Sequence, residues 1–347
     1  MKKYFSYLLV NILLFTAAQV KAQNYDDPAV YMKAINSAQA DFNKIYMSYV
    51  SAAWHSNRAT KIERLRQQVI DNLTTTRYKI IDLPIYKGDN GLRKSSIDYL
   101  WLMNKVFVDD YSHLVNMESL IDQSFDKMEL YLLFEEKIND TLKAANDKMI
   151  QAEKDFAAKY NVTLVDNKSG VSEKIATSNK VSKYRNRVYL LFFKCAWQES
   201  LLMDAITKKN ITKTEQARSA LLKYATDGMA GLDSVATYDN DATLAAACKE
   251  SLGFFKDEAE TYIPKVSDYL LKEEDFGKLK KTLDAKPQNT KTKEDTDTYN
   301  KAVSDLNALL VSTNQTVKTL FTNRNKVMTN WDKAETKFSE AHMPYYR

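Results

Sequence analysis

The chain has 347 residues, 44% of them hydrophobic and 27% charged, with only seven Gly and five Pro. That balance excludes collagen-like, low-complexity and wholly disordered chains, and so few turn formers argue against an all-β fold. Fifty basic against 45 acidic residues leave a net charge of +5, too even a mixture to mark a nucleic-acid-binding surface.

Residues 1–22 read as a secretory leader. Lys2 and Lys3 precede an apolar stretch from Tyr4 to Ala18, and Val20-Lys21-Ala22 offers small residues for cleavage before Gln23. The apolar run is shorter than a span of about 20 residues requires. The leader holds three basic residues and no acid, so the mature chain carries 47 basic and 45 acidic residues, or +2. No Cys follows the apolar run, so lipid attachment of the bacterial lipoprotein kind is not expected. No transmembrane segment is expected in the mature chain either.

Tyr31, Ile35, Ala38, Phe42, Ile45, Tyr49 and Ala52 alternate steps of four and three, which places them on one helical stripe. Pro28 suits the first turn of that helix. After a break near Ser56-Asn57, Ile62, Leu65, Val69 and Leu73 mark a second helix. Residues 80–94 are dense in turn formers, and Ser95 or Ser96 is expected to cap the next helix. That pattern runs, with a bend, to about Tyr160, and a polar loop follows to Gly170. Val188 to Trp197 is apolar at nine of ten positions, which predicts a central helix buried on several sides. Ala217 to Leu232 and Leu244 to Leu271 predict two more helices, the second broken near Pro264. Residues 284–298 are expected to be a solvated linker. From Tyr299 to Phe338 the 4-3 alternation holds throughout, with Thr313 and Arg324 as polar intrusions that fix register.

No strand alternation of similar quality occurs, and no repeat of convincing identity stands out. The expected fold is all-α: one elongated antiparallel helical bundle, residues 23–347, with long coiled-coil-like helices. Charge is uneven along it. Residues 58–94 sum to +5, residues 109–140 to −7 and residues 173–194 to +5, so an acidic helix is expected to pair with basic ones.

Motifs for chemistry are scarce. Di-iron bundles need Glu-x-x-His pairs, and the chain has none; Asp110-Tyr111-Ser112-His113 comes nearest, once. Glu118, Asp122 and Asp126 share a helix face and form a weak candidate site for a divalent cation, with a solvated acidic stripe as the plainer reading. His55 and His342 lack ligand spacing to another His or Cys. No nucleophile elbow, phosphate loop or dinucleotide fingerprint occurs, so neither a catalytic residue nor a cofactor is assigned. Tyr86, in the turn-rich loop, and Tyr345-Tyr346 lie off the stripes and are weak candidates for partner contacts. Cys195 and Cys248 sit in apolar helical surroundings. Export would permit a disulfide between them, and two buried free thiols are the alternative.

One set of strings supports a family resemblance. Val106-Phe107-Val108-Asp109-Asp110-Tyr111, Val115-Asn116-Met117-Glu118 and Gln123-Ser124-Phe125-Asp126-Lys127-Met128-Glu129 lie between Tyr86-Lys87-Gly88-Asp89 and Tyr189-Leu190-Leu191-Phe192-Phe193-Lys194. With these the chain resembles an uncharacterised family of exported helical surface proteins of spirochaetes and Bacteroidetes-type bacteria. The resemblance implies a surface or envelope location and supplies no functional residues. Export and long helices lead to the expectation of a protein that binds an unknown protein or envelope component, without nucleic acid. A periplasmic binder of metal or haem and an enzyme of unrecognised class are the alternatives.

Overall fold

The computed structural model describes residues 25–56, 58–110, 125–164, 170–235 and 237–346. Nine α-helices follow one another among them: α1 Pro28–His55, α2 Ala59–Ile81, α3 Gly91–Lys105, α4 Phe125–Lys159, α5 Gly170–Thr207, α6 Ile211–Asp233, α7 Thr243–Asp257, α8 Ile263–Asp284 and α9 Lys293–His342. The described residues contain no β-strand, only two isolated bridges. The fold is all-α, as the stripes predict. No helix among the described residues is long and apolar enough to cross a membrane.

Local chemistry sets the boundaries. Asp27 caps α1 by accepting from the Ala29 amide at 2.8 Å, and Pro28 opens its first turn. α3 begins at Gly91, ahead of Ser95, because the Asp89 carboxylate takes the Gly91 amide at 2.9 Å. α9 begins at Lys293, so the linker expected over 284–298 narrows to 285–292. Thr292 and Asp295 form a reciprocal capping box there, with bonds of 3.1 and 3.0 Å. Near Pro264 the helix does not break. It passes through one π-helical turn, Glu258–Tyr262, and continues as α8. A matching π turn, Val106–Asp110, ends α3.

Where the patterning favours one bundle, the interior divides into two cores. One holds Tyr31, Ile35, Phe42, Leu73, Leu100 and Phe156. The other holds Val188, Cys195, Leu221, Leu252, Trp331 and Phe338. The reason is an internal repeat that residue identity conceals. A step of 152 residues carries α2, α3 and the first π turn onto α6, α7 and the second, boundary for boundary. The same step carries buried Val69, Leu73, Ile80, Leu92, Leu100 and Met103 onto buried Leu221, Ala225, Leu232, Leu244, Leu252 and Phe255. In the first helix of each half the step is 153, taking Ile35, Phe42 and Tyr49 to Val188, Cys195 and Leu202. In the last helix it is 182, taking Phe156 to Phe338. The step thus grows by thirty residues, and the second half holds an insertion of that size. It consists of the far part of α8, the 285–292 turn and the first part of α9. Between Leu270 and Thr313 no residue is buried, so this stretch is a two-helix arm beyond the core.

Candidate functional site

Both halves share one clamp. Tyr86-Lys87-Gly88-Asp89 and Tyr238-Asp239-Asn240-Asp241 each close a tight turn, with the Asp amide donating to the Tyr carbonyl at 2.7 and 2.8 Å. Both central residues have positive φ: 48° and 83° in the first turn, 48° and 63° in the second. That is the geometry of a type I′ turn. One oxygen of each Asp accepts the amide that starts the next helix. The other holds the end of the last helix of its half. Asp89 takes Lys159 at 2.7 Å and Tyr160 at 3.3 Å; Asp241 meets His342 Nε2 at 2.8 Å. The Lys159 ammonium, then the Gly91 amide, hold the Asp89 carboxyl below its usual range. Hydrogen bonds from Thr243, then His342, hold that of Asp241 down to about 2. The Tyr rings complete the clamp. Tyr86 packs between Tyr31 and Phe156, and Tyr238 between Tyr184 and Phe338, with centroids 5.1–5.6 Å apart.

This corrects the reading of Tyr86 as a partner contact. Its ring is in the first core, 3% exposed, and its hydroxyl donates to the Asp26 carbonyl at 2.8 Å. Tyr345 is half exposed but stacks on His55, and the Tyr346 amide donates to Ser51 Oγ. Asp126 is exposed in the first turn of α4; Glu118 and Asp122 lie outside the described residues. No cluster of three or more potential metal ligands forms among the described residues. Cys195 and Cys248 are buried and unbridged in the second core, and burial pushes both thiols up to about 12. The acidic stretch does meet a basic one: Glu136 on α4 pairs with Lys183 on α5 at 2.7 Å, and Glu135 accepts from Asn186 at 3.2 Å.

The two halves differ in two places that chemistry can use. The first is the seam between the third and last helices. Between α3 and α4 it is open, as two adjoining hollows of about 780 and 460 Å³ that share Ser95 and Lys148. They run along α4 from Leu133 to Lys159, a distance of about 40 Å at the helical rise. The lining includes the small residues Gly91, Ser95, Ala144, Ala145 and Ala152, together with buried Leu92 and Phe156. In the second half, Phe254 and Val327 stand where Leu102 and Ala145 stand in the first, and Asn330 bonds Glu250 across the seam at 3.0 Å. The matching pair in the first half, Asp98 and Lys148, does not bridge; Asp98 pairs instead with Lys94 on its own helix.

The second difference is a buried ionic layer in the second core. Arg324 forks onto Glu199, through Nε to one oxygen and Nη2 to the other, the latter at 2.9 Å. Glu199 and Glu258 are both fully buried. Neither oxygen of Glu258 has a hydrogen-bond partner. Burial, then the nearby Glu199 charge, push its carboxyl up to about 9, against the pull of Arg324. The corresponding residues of the first half are Tyr46, Val106 and Leu142. Arg324 is legible in the sequence as a polar intrusion, whereas its partners are not. One further shared device escapes a stripe-based reading. Arg66 and Arg218 each pair with the Glu three residues before, and each donates to a carbonyl within the π turn, Phe107 at 2.8 Å and Ala259 at 3.2 Å. The spare carbonyls of a π turn need such donors.

In comparisons with known proteins, no family model, curated protein or solved structure matches this chain. The class is therefore defined by the fold itself, a tandem pair of four-helix units with a helical arm on the second.

Proposed function

We propose that this protein is exported to the cell envelope or surface and acts by binding a protein partner along the α3–α4 groove. The observation that carries the reading is the contrast between the two copies. The second half spans its seam with the Asn330–Glu250 bond and carries buried Phe254 and Val327 where the first has Leu102 and Ala145, while the first half leaves Asp98 and Lys148 unbridged beside the two hollows. A long open channel between two helices suits the helix-in-groove mode, in which a partner helix buries an apolar stripe. Leu133 is half exposed at one end of the channel and adds apolar surface there. Export rests on the leader-like residues 1–22 and on the family resemblance.

Site-specific photocrosslinking in intact cells of the source bacterium tests the binding site. A crosslinking side chain at Ala144 is expected to capture a discrete protein adduct, and one at the matching position Lys326 is expected to capture none. Equal labelling from both positions, or none from Ala144, overturns the groove as the contact surface. Protease shaving of the same cells, with a periplasmic marker, tests location separately, through cleavage at residues 285–292.

A further inference from the structure

Residues 343–346 leave α9 at the clamp end of the second unit and cross onto the first. Met343 is buried in the second core. Its carbonyl lies 3.1 Å from Nε2 of His55, in the last turn of α1. Tyr345 stacks on the His55 ring, with centroids 3.6 Å apart and planes 13° apart. The Tyr346 amide donates to Ser51 Oγ of α1 at 2.9 Å. Lys174 of α5 donates to the Tyr345 carbonyl at 2.7 Å, and its ammonium lies 5.7 Å from the centre of the Tyr346 ring. Met343, Tyr345 and Tyr346 thus touch the first unit through α1 and the second through α5 and its core.

The repeat shows that this crossing is an added feature. The matching stretch of the first half, after Tyr160, folds back on its own helix, with the Val162 amide on the Ala157 carbonyl. Elsewhere, the contacts between the units include Trp54, which packs against the second core, and the polar pairs of Glu135 and Glu136 with α5. The His55 and Ser51 hydrogen bonds, the charge-assisted bond from Lys174 and one stacked pair each contribute only modest net stability. Tyr345 is already half exposed, so releasing it uncovers little apolar surface. The crossing is therefore far easier to undo than either core.

We infer that residues 343–346 are a releasable latch, which fixes the two helical units against each other while Tyr345 sits on His55 and Tyr346 on Ser51. With the latch undocked, the units move relative to one another while each core stays folded. A partner that takes up this segment or the His55 face would select the open arrangement, by its different affinity for the two states.

The test uses the full chain with spin labels at exposed Lys79 and Lys213, one in each unit. The latched protein is expected to give one narrow distance distribution. His55→Ala with Tyr345→Ala is expected to add a broad, longer component and to speed amide exchange over residues 51–56 by about tenfold, with helical content unchanged. Lys174→Ala with Tyr346→Pro removes the two outer hydrogen bonds without touching Met343, and is expected to produce the same change in smaller measure. If the first variant loses helical content, the second decides. Unchanged distances and unchanged exchange in the folded variants overturn the latch.

Discussion

Glu258 is the residue at which the chain departs furthest from what a packed interior favours. Its carboxyl is fully buried without a hydrogen bond, beside a Glu199 that already occupies the Arg324 fork. Its ordinary value is 4.5 and its folded value about 9. Below pH 4.5 the folded and unfolded chains both hold the proton, and the group is neutral in the balance. As pH rises from there to 9, only the unfolded chain ionises, so stability falls across that window. The first half has Val106 at this position, which makes Glu258→Val a substitution the fold has already accepted. It is expected to raise stability at pH 7 by about 2 kcal/mol and to flatten the pH dependence between 5 and 9. Urea unfolding of both proteins at several pH values checks this, and Glu258→Gln, which keeps the volume, separates charge from packing. A loss of stability in both variants would mean that the carboxyl has a bonding role in the fold. Sequence patterning reaches only one member of this layer. Arg324 interrupts a regular stripe and is conspicuous, whereas Glu199 and Glu258 come from helices distant in the chain and lie in runs where a carboxylate is unremarked.

At the scale of the element, helices were legible and the devices that join them were not. A stripe reports which face of a helix is buried, and the stripes of α1, of α2 and of α9 from Thr313 to Phe338 are buried or half-buried faces of the structure, whereas the α9 stripe from Tyr299 to Leu310 lies in the arm with no buried residue. Turns are set by φ and by single hydrogen bonds, which leave a fainter trace. Tyr-x-x-Asp-x-x-Leu occurs at 86–92 and again at 238–244. That recurrence, read together with Glu-x-x-Arg at 63–66 and 215–218, is the signal from which the repeat could have been found. The turn also makes an energetic prediction. Gly88 has φ +83°, and a Cβ built there meets nothing within 4 Å, so the cost of a side chain is conformational alone. Gly88→Ala is expected to destabilise by about 1 kcal/mol. Gly88→Asn is expected to cost less, because Asn tolerates the left-handed region and Asn240 occupies the matching position at +63°. Thermal unfolding of the two variants ranks them, and an Ala variant as stable as the Asn one would contradict the turn geometry.

For the whole molecule, duplication accounts for features that a single-bundle reading leaves unconnected. The first unit shows what the four-helix frame needs, so whatever the second unit adds is dispensable to folding. The largest addition is the arm, about thirty residues that contribute no buried side chain between Leu270 and Thr313. Its seam is half covered, with Phe276 against Tyr299 at 5.5 Å between ring centroids, and its charges pair along or near their own helices, as Lys301 does with Asp305. Replacing residues 274–309 by a short Gly-rich turn removes the arm while keeping both core faces of α8 and α9. The shortened protein is expected to remain helical, with a second-core unfolding transition within a few degrees of the native one, since little apolar area is lost. The exposed linker at 285–292 goes with the arm, so the earliest proteolytic cut should vanish as well. Calorimetry and limited proteolysis read these two outcomes independently. A collapse of the second transition would mean that the arm stiffens the core through α8 and α9. Retention of the transition would show that the arm owes its place in the chain to something it does outside the fold.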